Sequence, residues 1–153
     1  MFYQMKPNAA SYARVQLESK VASADPHQLI AMLYDGAILA LSHAETAIHN
    51  KDIAAKAQWI TNAISIILEG LQAALDKEAG GSVAVHLDEL YSYMAHRLLT
   101  ANLQSNVTMV AEVKSLLNEL RGAWNAIRDK VVSGAVSVPS RQRAAQPARV
   151  AVR

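Results

Sequence analysis

The chain has 153 residues, no cysteine, 52% hydrophobic residues and a formal net charge of +2. That length suits one domain able to bury roughly two-thirds of its unfolded surface, so no disulfide or metal staple is required. Thiol chemistry and Cys-based zinc sites are excluded outright.

No basic start followed by an apolar run marks a secretory leader, and no uncharged apolar stretch reaches the roughly 18 residues of a membrane span. A cytoplasmic protein without membrane insertion is therefore expected. Charge is unevenly placed. All 13 acidic residues lie at or before Asp129, and residues 1–129 carry ten Lys and Arg, a balance of −3. Residues 130–153 carry Lys130, Arg141, Arg143, Arg149 and Arg153 with no acid, a balance of +5.

Residues 1–24 begin with an apolar, aromatic run, Met1-Phe2-Tyr3, and have modest helical spacing through Tyr12 and Val15. A mobile N-terminal segment is expected here, one whose tyrosines fold back onto a groove as a cap or plug. The first long helix is predicted from about Pro26 to Asn50. Asp25 can cap it, Pro26 fits the first helical position and Gln28 can complete a capping box. Its apolar residues recur at Leu29/Ile30, Leu33, Ala37, Ala40, Ala44 and Ala47/Ile48. A second set, Met32, Gly36, Leu39 and His43, widens the apolar face beyond one seam. Gly36 in a helix interior suggests a close backbone approach.

Asp52 is a plausible cap for the second helix, whose predicted seam is Ile53, Ala57, Ile60, Ile64, Ile67, Leu71 and Ala74. Beside it runs a second stripe, Trp59, Ala63, Ile66, Gly70 and Ala73. This stripe either forms a shallow apolar trough or packs on a neighbouring helix. Ala79-Gly80-Gly81 should end that helix. Ser82 can cap the third, which runs through Val83, Leu87, Leu90, Tyr91, Met94, Leu98 and Ala101. Asn106 can cap the fourth, with seam Val110, Val113, Leu117, Leu120, Trp124 and Ile127. From about Ser133 the pattern gives way to an Ala/Gln/Arg/Pro run, a composition typical of disorder.

Four helices of about 24 residues, each roughly 36 Å long, joined by short turns, predict an all-α fold. The expected architecture is an antiparallel up-down-up-down four-helix bundle with a mobile N-terminal segment and a disordered basic C-terminal tail. The divisions are 1–24, 25–132 and 133–153.

Catalytic chemistry is hard to place on this chain. A di-iron bundle needs Glu-x-x-His pairs, but the residues three after Glu45, Glu69, Glu89, Glu112 and Glu119 are Ile48, Gln72, Ser92, Ser115 and Gly122. The five histidines, His27, His43, His49, His86 and His96, share no ligand spacing and read as surface or helix-end residues. No phosphate-cradling loop or nucleophile elbow is present. No catalytic residue, metal ligand or cofactor is assigned. The arginine tail alone could attract phosphates and has no base-reading motif, so nucleic acid is not an expected partner.

What remains is an apolar surplus. Tyr34, Tyr91 and Tyr93 suit half-buried groove walls, and Met32, Met94 and Met109 are pliable fillers for a surface that accepts a helix. A bundle with apolar grooves and no catalytic set reads as a helix-binding module. Its expected client-binding residues are Met32 and Leu39 on the first helix, Ile66 and Gly70 on the second, and Tyr91, Met94 and Leu98 on the third.

From Tyr12 to Trp124 the chain resembles the flagellin export chaperone family, FliS. The matching residues include Ala24-Asp25-Pro26, Leu29-Ile30, Met32-Leu33-Tyr34-Asp35-Gly36-Ala37-Ile38, Leu75-Asp76, Gly80-Gly81, Leu90-Tyr91, Tyr93-Met94, Arg97-Leu98, Ala101-Asn102, Leu120-Arg121 and Trp124. Departures are small: Asp25 stands where Ser or Thr is frequent, His86 where Asn is and Asn106 where Asp is. The resemblance implies a cytoplasmic bundle that binds the disordered C-terminal segment of flagellin, prevents premature polymerisation and delivers the subunit to the flagellar type III export gate. It also implies that Tyr12 belongs to a segment occupying part of the groove when no client is bound. Alternatives are a chaperone or regulator of another helical client, such as an anti-sigma factor, and a metal bundle without the usual motif. A second copy of the chain is also admitted as a partner.

Overall fold

The computed structural model of the protein describes residues 25–133, with side chains to residue 127. The N-terminal segment with Tyr12, and the tail beyond Ser133, lie outside the described residues. Helix α1 spans Pro26–His49. Its start forms as the residues dictate: Asp25 Oδ1 accepts from the Gln28 N–H at 2.7 Å, and the Gln28 side chain accepts from the Asp25 N–H at 3.3 Å. These bonds satisfy main-chain donors that a helix N-terminus leaves open. Lys51, in the left-handed region at φ 56°, turns the chain, and Asp52 caps α2 (Ile53–Ser65) by accepting from the Ala55 N–H at 3.1 Å.

α2 does not run on regularly. It continues as a π-helical segment, Ile66–Gln72, in which the Ala73 N–H donates to the Leu68 carbonyl five residues back at 3.2 Å. A π turn inserts extra residues into the helical repeat and rotates the side chains beyond it. The buried line is Lys56, Ile60, Ala63, Ile67 and Leu71, with Leu75 partly buried against the core. Ile60, Ile67 and Leu71 belong to the predicted seam and Ala63 to the stripe beside it. Ile53 and Ala74, expected in the seam, are exposed, and Ala57 and Ile64 are half-buried.

The break after α2 is also earlier than predicted. Asp76 caps helix α3 (Lys77–Gln104), accepting from the Glu78 and Ala79 N–H groups at 3.1 and 3.0 Å. Ala79-Gly80-Gly81 thus lies inside this third element. Gly81, at φ 56° and ψ −134°, kinks it where only glycine is comfortable. Ser105, left-handed at φ 51°, ends α3. Asn106 Oδ1 accepts from the Met109 N–H at 3.1 Å, capping α4 (Val107–Ser133) as expected.

Among the described residues there are four helices and no strand. α1 packs against α2 and α4, and α3 against α4, α2 and the π segment, so sequential neighbours are adjacent and antiparallel as short connections require. The all-α, up-down-up-down bundle expected from the sequence is what forms. Its core holds Leu41, Ile60, Ile67, Leu71, Met94, Leu98, Val110, Val113 and Leu117 between facing alanines of α1. Those small residues let α1 sit close to its neighbours, as close packing of helices requires.

Ion pairs clip α4 to both neighbours: Lys114 to Glu45 and Arg121 to Asp35 on α1, and Glu112 to Arg97 on α3. Hydrogen bonds from the Tyr93 hydroxyl and from Arg97 hold the Glu112 carboxyl below its ordinary value. Partly exposed pairs of this kind orient helices more than they stabilise them. One cation is different. Lys56, only 5% exposed, donates from Nζ to the Asn102 carbonyl at 2.8 Å and to Ser105 Oγ at 2.7 Å. It ties the start of α2 to the α3–α4 turn with partners for the charge it carries inside.

Candidate functional site

At the other end of the bundle, where α1 and α3 begin, the helices leave an apolar cavity of about 330 Å³. Each wall follows from a local feature. α1 contributes Ile30 and Tyr34, one turn apart on its inner face. The end of the π segment rotates Leu71 and Leu75 inward. The Gly81 kink sets the first turn of α3 aside, so that Val83, Ala84, Leu87 and Tyr91 line the opposite wall. Gly80 is part of this wall. A Cβ there would stand 2.7 Å from the Ala84 Cβ, so the chain closes tightly only because both residues are small.

Trp124 of α4 completes the enclosure. Its indole N–H donates to the His27 carbonyl at 2.9 Å and its ring stacks on the His27 imidazole, with centroids 4.1 Å apart. The ring is thereby fixed as a wall.

The polar atoms in this apolar place are few. Asp76 lies on the rim, its carboxylate already engaged in capping α3. Across the bundle diagonal, the Tyr34 and Tyr91 hydroxyls meet at 2.6 Å, both residues 97% or more buried, with exposures of 3% and 2%. Burial pushes both phenols above their ordinary value, and a charged oxygen here would lack water. Both groups stay protonated at physiological pH. Among the described residues no cluster of three metal-ligating side chains is present. No helix among them is long and apolar enough to cross a membrane. The chemistry that the cavity offers is apolar burial beside a hydroxyl pair.

The residues expected to bind a client are not brought together as one groove. Met32 is half-buried and Leu39 is 58% exposed on α1. Ile66 and Gly70 face α1 rather than an open trough: Ile66 Cδ1 lies 3.5 Å from where a Cβ of Gly36 would be, and Leu33 Cδ2 lies 2.9 Å from one at Gly70. Trp59 of the same stripe stacks on His43 of α1 at 4.3 Å. The second stripe of α2 is thus a helix–helix seam, and the close approach at Gly36 is by a side chain. Tyr91, Met94 and Leu98 lie inward. At 2%, 0% and 0% exposure they are core, because the inward line of α3 passes through all three at helical spacing. Of these, Tyr91 alone borders the cavity. Tyr12 lies outside the described residues.

Sequence reasoning missed the cavity as a cavity. Ile30, Leu87 and Trp124 read as seam residues, and an apolar pattern cannot separate a filled interior from one with a gap at its end. The Gly80-Gly81 pair is the signal that could have found it. Other apolar surface lies outside the cavity, with Leu99 and Leu103 on α3 exposed at 54% and 86%.

The profile of the family described as flagellar protein FliS matches residues 8–131. Flagellar secretion chaperone FliS of Salmonella typhimurium is 48% identical over 120 residues, 78% of this chain and 89% of that protein. Flagellar secretion chaperone FliSB of Pseudomonas aeruginosa is 40% identical over 82% of this chain and 98% of its own length. The Bacillus subtilis FliS chaperone is 32% identical over 70% of the chain and 78% of its own length. With a family match that spans nearly the whole bundle and relatives that align over most of their length, the chain belongs to the FliS family of flagellar secretion chaperones and is not an enzyme.

Proposed function

We propose that this chaperone acts in the cytoplasm, where it binds the disordered C-terminal segment of flagellin, keeps the subunit from polymerising early and hands it to the flagellar type III export gate. The observation that carries this reading is the apolar cavity between the starts of α1 and α3, open to solvent past Val83, which is 64% exposed. A disordered segment that folds on binding must offset a considerable ordering cost, so it needs a long contact with at least one deep anchor. The cavity supplies the anchor. Met32, Leu39, Leu99 and Leu103 supply apolar surface along which an amphipathic segment can continue.

Residues 1–24 enter the bundle at Asp25, little more than one helical turn before Ile30 of the cavity wall. That position supports the reading of the N-terminal segment as a competitor for the site, covering apolar surface that would otherwise promote aggregation.

An apolar anchor predicts weak salt dependence. Titrated with monomeric flagellin of the same organism, the protein should bind within about threefold as tightly at roughly 0.5 M salt as at roughly 0.15 M, because screening weakens exposed charge pairs and leaves apolar burial intact. A loss of tenfold or more across that range would assign the binding to charge. No binding at either salt would refute flagellin as the client.

A further inference from the structure

The buried hydroxyl pair has one hydrogen too many. Tyr34 and Tyr91 are both protonated phenols, so together they carry two O–H hydrogens, and their mutual bond at 2.6 Å uses one. Among the described residues neither oxygen has another partner. The remaining hydrogen belongs to a side chain that is nine-tenths or more buried and borders the cavity. A buried donor left without an acceptor is costly, so something that enters the cavity with an acceptor is favoured over something purely apolar. Among the described residues, Asp76 is the other polar residue of the lining, and it is occupied with the first turn of α3.

We propose that the Tyr34–Tyr91 pair is the polar anchor of the cavity, donating its spare hydrogen to a main-chain carbonyl of the bound flagellin segment. This rests on the reading of flagellin as client. It adds a statement about how the segment is bound. A carbonyl in the middle of a helix already accepts a bond from its own helix. The anchored residue therefore stands in the last turn of a client helix or in a stretch between helices, where carbonyls are open. The pair thus selects a helix end or break with an apolar side chain beside it, and fixes the register of the segment along the bundle.

Three variants separate this role from a structural one. Tyr34→Phe and Tyr91→Phe each remove one oxygen and leave one hydroxyl with one free hydrogen; the double variant leaves none. Each protein is titrated with monomeric flagellin and unfolded in urea. Each single variant is expected to bind within about threefold of wild type, since a donor remains for the client, and to have a lower urea midpoint, since its hydroxyl has lost its internal partner. The double variant is expected to bind about tenfold more weakly while its midpoint recovers toward wild type, the cavity floor being then uniformly apolar.

Wild-type affinity in the double variant would overturn the proposal and leave the hydrogen to water. Tighter binding would overturn it too, by showing that the chain's own N-terminal segment is what the pair holds. A single variant as weak as the double would mean that packing of the pair governs affinity. A midpoint in the double variant below both singles would mean that the hydroxyls are not an isolated pair. Failure of wild type to bind flagellin defeats the functional reading itself, and the inference with it.

Discussion

A glutamate at Gly70 is expected to lower the melting temperature by about 10 °C or more, with loss of helical circular dichroism in proportion. A Cβ at this position would already lie 2.9 Å from Leu33 Cδ2 and 3.1 Å from Leu33 Cδ1. The added carboxylate would have to sit between α1 and the π segment of α2. Overpacking such a seam costs about 1–3 kcal/mol, and withdrawing a carboxylate from water without a partner adds several more. Each kcal/mol corresponds to roughly 4–8 °C in a domain of about 100 residues. Gly70→Ala is expected to be mild, because Leu33 presents the far end of a flexible side chain that can turn aside. Were the second stripe of α2 an open trough, as the sequence pattern allows, Gly70→Glu would leave the melt unchanged.

The opposite behaviour is expected at the mouth of the cavity. Val83→Glu should shift the melting temperature by no more than about 2 °C and weaken flagellin binding at least tenfold. Val83 is 64% exposed in the free protein, so its replacement withdraws little apolar surface from the core and buries no charge. In the complex the same carboxylate would be covered by an apolar client beside Asp76, with no cation among the described residues that line the cavity. Burying it unpaired costs several kcal/mol, and every 1.4 kcal/mol is a factor of ten in affinity. Fold and binding thus separate cleanly between Gly70 and Val83. Full binding by Val83→Glu would place the client elsewhere, along the exposed leucines of α3.

Much of the bundle is legible in its caps and seams. Asp25, Asp52 and Asn106 each accept the main-chain N–H that their residue type and position imply, and of the α4 seam Val110, Val113 and Leu117 are buried, Leu120 and Trp124 half-buried and Ile127 exposed. These features depend on contacts within a few residues, which is why sequence displays them. In α2 the same reasoning holds only in part: Ile60, Ile67 and Leu71 of the predicted seam are buried, but two apolar stripes of equal quality lie side by side. The choice between them is made by the partner helix and by the π segment, neither of which has a local mark. Lys56 is unreadable for the same reason. Its acceptors, Asn102 and Ser105, lie more than forty residues away.

The Gly80-Gly81 pair does mark a break, and Asp76 is a plain cap that the glycines overshadow in the sequence. Placing the glycines after the second helix, not inside the third element, hides the kink that opens the cavity. The site residues are less legible than the fold. Tyr91, Met94 and Leu98 have the character of groove residues by type, yet the inward line of α3 claims all three for the core.

Calorimetric titration of the wild-type protein with full-length flagellin, and with flagellin lacking its C-terminal segment, tests the central claim most directly. Full-length monomer is expected to bind with a negative heat-capacity change, the mark of apolar burial coupled to ordering, and the truncated monomer to give no binding heat at the same concentrations. Equal affinity for the two forms would contradict capture of the C-terminal segment.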